Sequence, residues 1–237
     1  DNIRESQKII EEIIKPAIEE FIGKFLPQEL IKKHTIEMDC EKIYSSLLLL
    51  SEKKRYIGFL KYYDGEETNK LHYMGLDLKK SNNSLIEKEA QKEIAIEMLN
   101  CGEVQKCISK WYKKVLEEKN IKWFKIPSKL EKEISGYKVN SPTIRGVNWS
   151  NKNMNTTFRA GSKFYIIYIN NTYDVVAFDE DSQVNNLIDN IDKKKYLEKV
   201  YKKINIITKK TQYEKINDSL YKSYSACKSE GLMSWIK

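Results

Sequence analysis

Cysteine and histidine are scarce in this chain, four of one and two of the other among 237 residues. Cys40, Cys101, Cys107 and Cys227 form no Cys-x-x-Cys pair, and only His34 and His72 could join them, so a zinc centre is not expected. Reduced thiols, buried or half-buried, are the expected state. Long apolar runs are lacking as well. The longest aliphatic stretch, Leu47 to Leu50, falls far short of the roughly 20 residues a membrane helix needs, so neither a transmembrane segment nor a membrane partner is expected. The first residues, Asp1-Asn2-Ile3-Arg4-Glu5, have neither the basic head nor the apolar heart of a signal peptide. An intracellular location follows as the expectation. The chain starts without Met, as a processed or truncated protein would.

Charge is what the chain has in excess. Lys and Arg number 42 against 34 Asp and Glu, a formal net charge of +8 that favours an anionic partner, although many soluble basic proteins share such a bias. With 41% hydrophobic and 11% aromatic residues the chain is too apolar for disorder, while 32% charged residues imply a heavily solvated surface. The length suits one large domain or two small ones.

Periodicity organises the chain. Ile9, Ile10, Ile13, Ile14, Ala17, Ile18, Phe21, Ile22 and Phe25 mark an amphipathic helix, with Pro16 expected to kink or restart it. Ile36, Met38 and Cys40 alternate with acidic residues as a half-buried strand would, and a second strand runs into Leu47 to Leu50. Arg55 to Tyr63 and Leu71 to Leu78 read as a hairpin around Asp64-Gly65. Ser84 and Glu87 form a capping box ahead of a helix carrying Ile86, Ala90, Ile94 and Met98, which Cys101-Gly102 ends. Val104, Cys107, Ile108, Trp111, Tyr112 and Val115 give a second helix, with Trp111 read as core rather than as a base-stacking platform. Pro127, Gly136 and Pro142 punctuate a loop-rich connection. Lys163 to Ile169 and Val175 to Phe178 are strand-like, and helical stripes follow at Tyr196 to Ile204 and Tyr213 to Tyr224. No internal repeat is present.

One cluster carries chemistry. Lys53-Lys54-Arg55-Tyr56 places three cations and a phenol at the start of a strand, and Met74-Gly75-Leu76-Asp77-Leu78-Lys79-Lys80-Ser81 follows the acidic turn 64–67. Lysine and arginine neutralise phosphates, while a tyrosine hydroxyl fixes position by hydrogen bonding. The plainer reading is a solvated hairpin end with Tyr56 packed in the core.

The ordered pair, KKRY and then a glycine-containing strand ending in Lys-Lys, resembles the primer-holding segment of family B DNA polymerases, closest to the T-even phage type. Ile43-Tyr44 is similar to the strand leading into that motif, and Lys15-Pro16-Ala17-Ile18 to the preceding palm helix. Thr143-Ile144-Arg145-Gly146 resembles a thumb segment that precedes an asparagine, matched loosely by Asn148 or Asn151; Gly161 to Tyr165 resembles the thumb strand after it, and Lys195 to Lys199 the final helix. The resemblance implies an α+β fold, with part of a palm sheet and the KKRY hairpin over 1–83 and a mainly helical thumb with a small β insertion over 84–237. It implies that Lys53, Lys54, Arg55, Tyr56, Gly75, Lys79, Lys80 and Arg145 meet primer-template DNA. Lys54 would reach the minor-groove edge of the primer-terminal pair, whose acceptors lie at similar places in every base pair, and Tyr56 would hydrogen-bond the primer backbone. Many relatives have arginine where this chain has Lys79 and Lys80, which removes the bidentate grip on phosphate.

The same resemblance defines what is missing. The family's Asp-x-x-Ser-Leu-Tyr-Pro and Tyr-Gly-Asp-Thr-Asp-Ser motifs, whose aspartates hold two metal ions, and its fingers-helix lysine occur nowhere in the sequence. They precede KKRY in the family, as does the proofreading exonuclease. The chain alone is therefore expected to be inactive, as a natural split subunit or a fragment, with no cofactor of its own and Mg2+ in the assembled polymerase. Its expected partners are primer-template DNA and a catalytic chain carrying exonuclease, fingers and the palm aspartates. Asp179-Glu180-Asp181-Ser182 superficially resembles a metal turn but reads as a solvated acidic loop. The final segment, Ser229 to Ile236, has the style of a peptide that docks on a sliding clamp; fraying or packing on the thumb is the preferred reading. The abundance of Lys, Asn and Ile is compatible with a low-GC viral genome, and for a phage protein the expected place is the host cytoplasm. The competing reading is a non-catalytic basic module that binds DNA or RNA, and partner dependence separates the two.

Overall fold

The structure, a computed structural model, describes residues 2–31, 40–76, 78 and 82–226. It is a mixed α+β protein with two three-stranded antiparallel sheets. The chain forms two compact units, one from 1–49 and 56–74, the other from 50–55 and 75–237.

The first unit opens with helices. The isoleucine stripe forms α1 (Asn2–Ile9) and α2 (Lys15–Phe25), joined by a π-helical turn over Ile10–Ile14. The interruption comes just ahead of Pro16, which lacks an N–H and would press on the preceding turn; a wider turn relieves both demands. A short helix, α3 (Gln28–Ile31), follows. Most of the strand expected over Ile36 to Cys40 lies outside the described residues; Cys40 itself is not in a strand, and β1 begins at Lys42 (Lys42–Leu49).

β2 (Tyr56–Tyr63) pairs with both β1 and β3 (Glu66–Met74). Asp64 and Gly65 have φ of 48° and 91°, so the turn has the two-residue form whose twist matches that of the strands. β3 therefore starts at Glu66, earlier than the expected Leu71. It also ends earlier than Leu78, because Gly75 turns the chain at φ 70°.

The second unit is built on α4 (Leu85–Leu99), α5 (Val104–Glu117), α7 (Lys193–Thr208) and α8 (Glu214–Ala226). Ser84 and Glu87 make the predicted capping box. Ile86, Ala90, Ile94, Val104, Ile108, Trp111, Tyr112, Val115, Leu197, Val200 and Ile204 are buried, so the stripes on α4, α5 and α7 face the core, whereas Tyr213, just ahead of α8, and Ile216, Leu220 and Tyr224 on it are only half-buried. Gln91 donates to the Lys203 carbonyl at 2.9 Å and ties α4 to α7.

The second sheet holds β4 (Ile126–Lys129), β5 (Lys163–Tyr168) and β6 (Val175–Phe178), in that order. Sequence reading treats 127–142 as a loop because Pro127 argues against a strand. β4 is an edge strand, where a missing N–H costs no ladder bond. Packed on β6 is α6 (Pro142–Asn153): at Gly146 a Cβ would lie 3.0 Å from Val175 Cγ1, and Ser150 Oγ accepts the Ala177 N–H at 3.0 Å. Of the thiols, Cys107 is buried and Cys40 half-buried as expected, whereas Cys101 is exposed; all three are free. Among the described residues no helix is long and apolar enough to cross a membrane.

Candidate nucleic-acid interface

The turn from β1 to β2 is closed at its base by Leu50 N–H donating to the Arg55 carbonyl at 3.0 Å, and inside it Arg55 N–H donates to the Glu52 carbonyl at 3.3 Å. Arg55 also pairs with the Glu52 carboxylate at 2.9 Å, so one of the three cations stabilises the turn itself. Lys53 and Lys54 are exposed at its tip. Lys54 has φ 60°, a left-handed backbone that costs a non-glycine residue about 1–2 kcal/mol.

Gly75 explains how the turn is held. A Cβ there would sit 2.9 Å from the Lys54 carbonyl oxygen and 2.5 Å from Arg55 Cγ, and its φ of 70° already disfavours other residues. The sequence reading assigns this glycine to close approach of DNA. The structure supplies a reason within the chain: the backbone at residue 75 passes directly against Lys54 and Arg55. Gly75→Ala is therefore expected to lower stability by about 1–3 kcal/mol, seen as a lower urea midpoint; an unchanged midpoint would mean that the turn yields freely.

Tyr56 begins β2, half-buried. Its ring meets the Tyr44 ring edge-on at 6.0 Å and lies 5.8 Å from the His72 ring. Tyr44 Oη and His72 Nδ1 are 2.6 Å apart. Burial first, and then the neighbouring Tyr56 phenol, push the Tyr44 phenol well above its ordinary range. Sequence reading overlooks Tyr44 and His72 as partners of Tyr56, because only the strand register brings them together.

A scan of protein-family profiles matches residues 17–211 to DNA polymerase family B. The chain belongs to that family. No curated protein matches it. Members of DNA polymerase family B are nucleotidyltransferases that act on DNA in replication, and that chemistry frames the remaining residues of interest.

Arg145 is engaged within this family B chain. Its Nε and Nη2 donate to the two Asp174 carboxylate oxygens at 3.0 and 2.5 Å, and Nη1 donates to the Asn140 carbonyl at 2.8 Å. That hydrogen bond holds the Asp174 carboxyl below its usual range. Beside it Trp149 stacks on Tyr173 at 3.8 Å. Of the two asparagines, Asn148 is exposed, whereas Asn151 holds the next loop, with Oδ1 accepting from Phe158 N–H at 2.8 Å and Nδ2 donating to the Phe158 carbonyl at 3.0 Å. In the acidic loop Asp181 accepts Lys125 on both oxygens at 2.9 Å. No three metal-ligating side chains gather among the described residues. Lys79 and Lys80 lie outside them.

Proposed function

We propose that this chain is the palm–thumb portion of a family B DNA polymerase of the T-even phage type, with 1–83 closing the palm and 84–237 forming the thumb. It holds primer-template DNA, while a partner chain supplies exonuclease, fingers and the aspartates that bind Mg2+. In this reading Lys53 and Lys54 meet the DNA from the turn before β2, Tyr56 meets the primer backbone, and Gly75 shapes the turn. Lys79 and Lys80 add phosphate contacts, and Arg145 steadies the start of α6 near the duplex. Arg55 serves the turn through Glu52.

The observation that carries the reading is the tip itself. Two lysines stand exposed there, one in a left-handed backbone, on a turn that Arg55 and Gly75 hold in shape. Support for a partner chain comes from α1, α2 and the π-helical turn between them, where Ile13, Phe21 and Phe25 are 63%, 61% and 71% exposed. Covering each such side chain is worth about 1.5–3 kcal/mol, and α2 has no buried residue at all.

The test is a titration of primer-template affinity against salt. Phosphate contacts release counterions, so log affinity falls linearly with log salt and hardly varies with DNA sequence. Replacing Lys79 and Lys80 together by Ala should reduce the slope by about two, roughly one per lost contact. An unchanged slope would reduce those lysines to a solvated face, and no binding at any salt would defeat the reading.

A further inference from the structure

Tyr56 has exposed aliphatic neighbours. The register sets Leu49 of β1 and Met74 of β3 opposite Tyr56 on β2, and Leu47 and His72 opposite Gly58, so all six share one face of the sheet. Gly58 is bare because a Cβ there would lie 2.9 Å from Tyr44 Cδ1. Leu49 is 72% exposed, Met74 45% and Leu47 44%. Ile57, which alternation puts on the other face, is buried. An antiparallel sheet with one wet face alternates apolar with polar residues. β1 does not alternate here, since Leu47, Leu48 and Leu49 put aliphatic carbon on both faces. The face of Tyr56 therefore has the composition of a covered surface.

Charge marks what covers it. Lys70 follows His72 on the same side by alternation and is exposed, and the six residues that join Leu49 to Tyr56 carry Lys53 and Lys54. None of the positions on this face from Leu47 to Leu49, at Tyr56 and Gly58, or from Lys70 to Met74 is acidic. An apolar strip with lysines toward both ends and no carboxylate suits a polyanion whose units also present carbon. A DNA strand is such a partner, because each phosphate is flanked by two deoxyriboses and C2′ of each is a methylene. Leu49 and Met74 stand roughly 10 Å apart, two strand spacings, with Tyr56 midway. A DNA strand advances about 3.4 Å per nucleotide, so a phosphate on the Tyr56 hydroxyl brings the sugars on its two sides within reach of these side chains.

We propose that Leu49 and Met74 are specificity-determining residues that test the primer sugar, accepting the C2′ methylene of deoxyribose and rejecting the 2′-hydroxyl of ribose. The inference rests on the reading that Tyr56 meets the primer backbone. A methylene laid against leucine or methionine leaves water favourably. A hydroxyl in the same place also loses its water, but Leu49 offers it no partner and the Met74 thioether only a weak acceptor. Burial of an unpaired hydroxyl is costly, so the same contact that favours one sugar disfavours the other.

The experiment measures fluorescence anisotropy of labelled primer-templates with the 237-residue chain, each primer carrying one ribonucleotide at a successive position from its 3′ end. One or two positions should bind roughly tenfold more weakly than the all-DNA primer, which is about 1.4 kcal/mol and within the cost of burying an unpaired hydroxyl. The other positions should match the all-DNA primer. A 2′-fluoro sugar at the sensitive positions should bind like deoxyribose, because fluorine favours the ribose pucker yet needs no hydrogen-bond partner. Leu49→Ser and Met74→Ser should each relieve most of the penalty at one position by giving the hydroxyl a partner. Melting curves identify any variant that fails to fold, and the scan of sugars on the wild type then decides alone. An equal penalty at every position, or a 2′-fluoro penalty as large as that of ribose, would show that duplex shape is read and would overturn the inference. A localised penalty that survives in the folded double variant would overturn it as well. If no position is sensitive while Tyr56→Phe weakens binding, the sugar test is wrong, the primer contact stands, and the apolar face is left to the partner chain. If no position is sensitive and Tyr56→Phe binds every primer as the wild type does, the primer contact fails together with the sugar test.

Discussion

Lys54→Ala should weaken primer-template affinity by roughly tenfold or more, since a hydrogen bond to a charged group is worth about 1.5–3 kcal/mol and every 1.4 kcal/mol is about tenfold. Lys54→Gly should lose as much affinity yet melt higher than Lys54→Ala. The reason is the backbone: at φ 60° a glycine escapes the strain that lysine and alanine both bear. The two variants therefore separate function from folding at one position. Equal melting temperatures would show that the turn imposes no strain, and unchanged affinity in both would remove Lys54 from the interface.

The second expected result is an absence of chemistry. The purified chain should add no nucleotide to a primer at any Mg2+ concentration, because two-metal catalysis needs paired aspartates that the sequence does not supply. Asp181, the nearest imitation, is held by Lys125. Extension should appear on adding a chain that carries the family's aspartate motifs, and the gain should depend on α2. Phe21→Glu with Phe25→Glu would place charges on the face proposed to meet the partner and should reduce extension strongly. Robust extension by the chain alone would overturn the division of labour.

Much of the helical half is legible in the sequence because burial on a helix has a period that survives any arrangement of neighbours. Ile86, Ala90 and Ile94 face the core wherever α4 packs, and Ser84 with Glu87 fixes where it starts. Strands are less forthcoming. β4 is hidden by Pro127, and the length of β3 depends on a turn of two residues whose size the sequence leaves uncertain. The exposed lysines of the KKRY turn can be read from the chain, since a cluster of like charges seldom lies buried. The Tyr44–Tyr56–His72 cluster cannot, because it joins residues 28 apart through a register set by strand pairing and by the bareness of Gly58. Gly75 stands out in the sequence for the approach of DNA, whereas the register of the turn, which the sequence hides, puts Arg55 Cγ and the Lys54 carbonyl nearest to it.

The division of the chain into 1–49 with 56–74 and 50–55 with 75–237 limits how this protein can be cut. The polypeptide passes from one unit to the other three times, at Leu49–Leu50, Arg55–Tyr56 and Met74–Gly75. A break at the first or second point takes strands away from the sheet they complete, and a break at the third leaves the larger unit without its six-residue turn. No single scission yields two intact pieces. A gene that divides a polymerase of this kind, or an engineer who wishes to, would have to place the break outside residues 50–74, and the lysine-bearing turn would stay joined to both units it links in sequence.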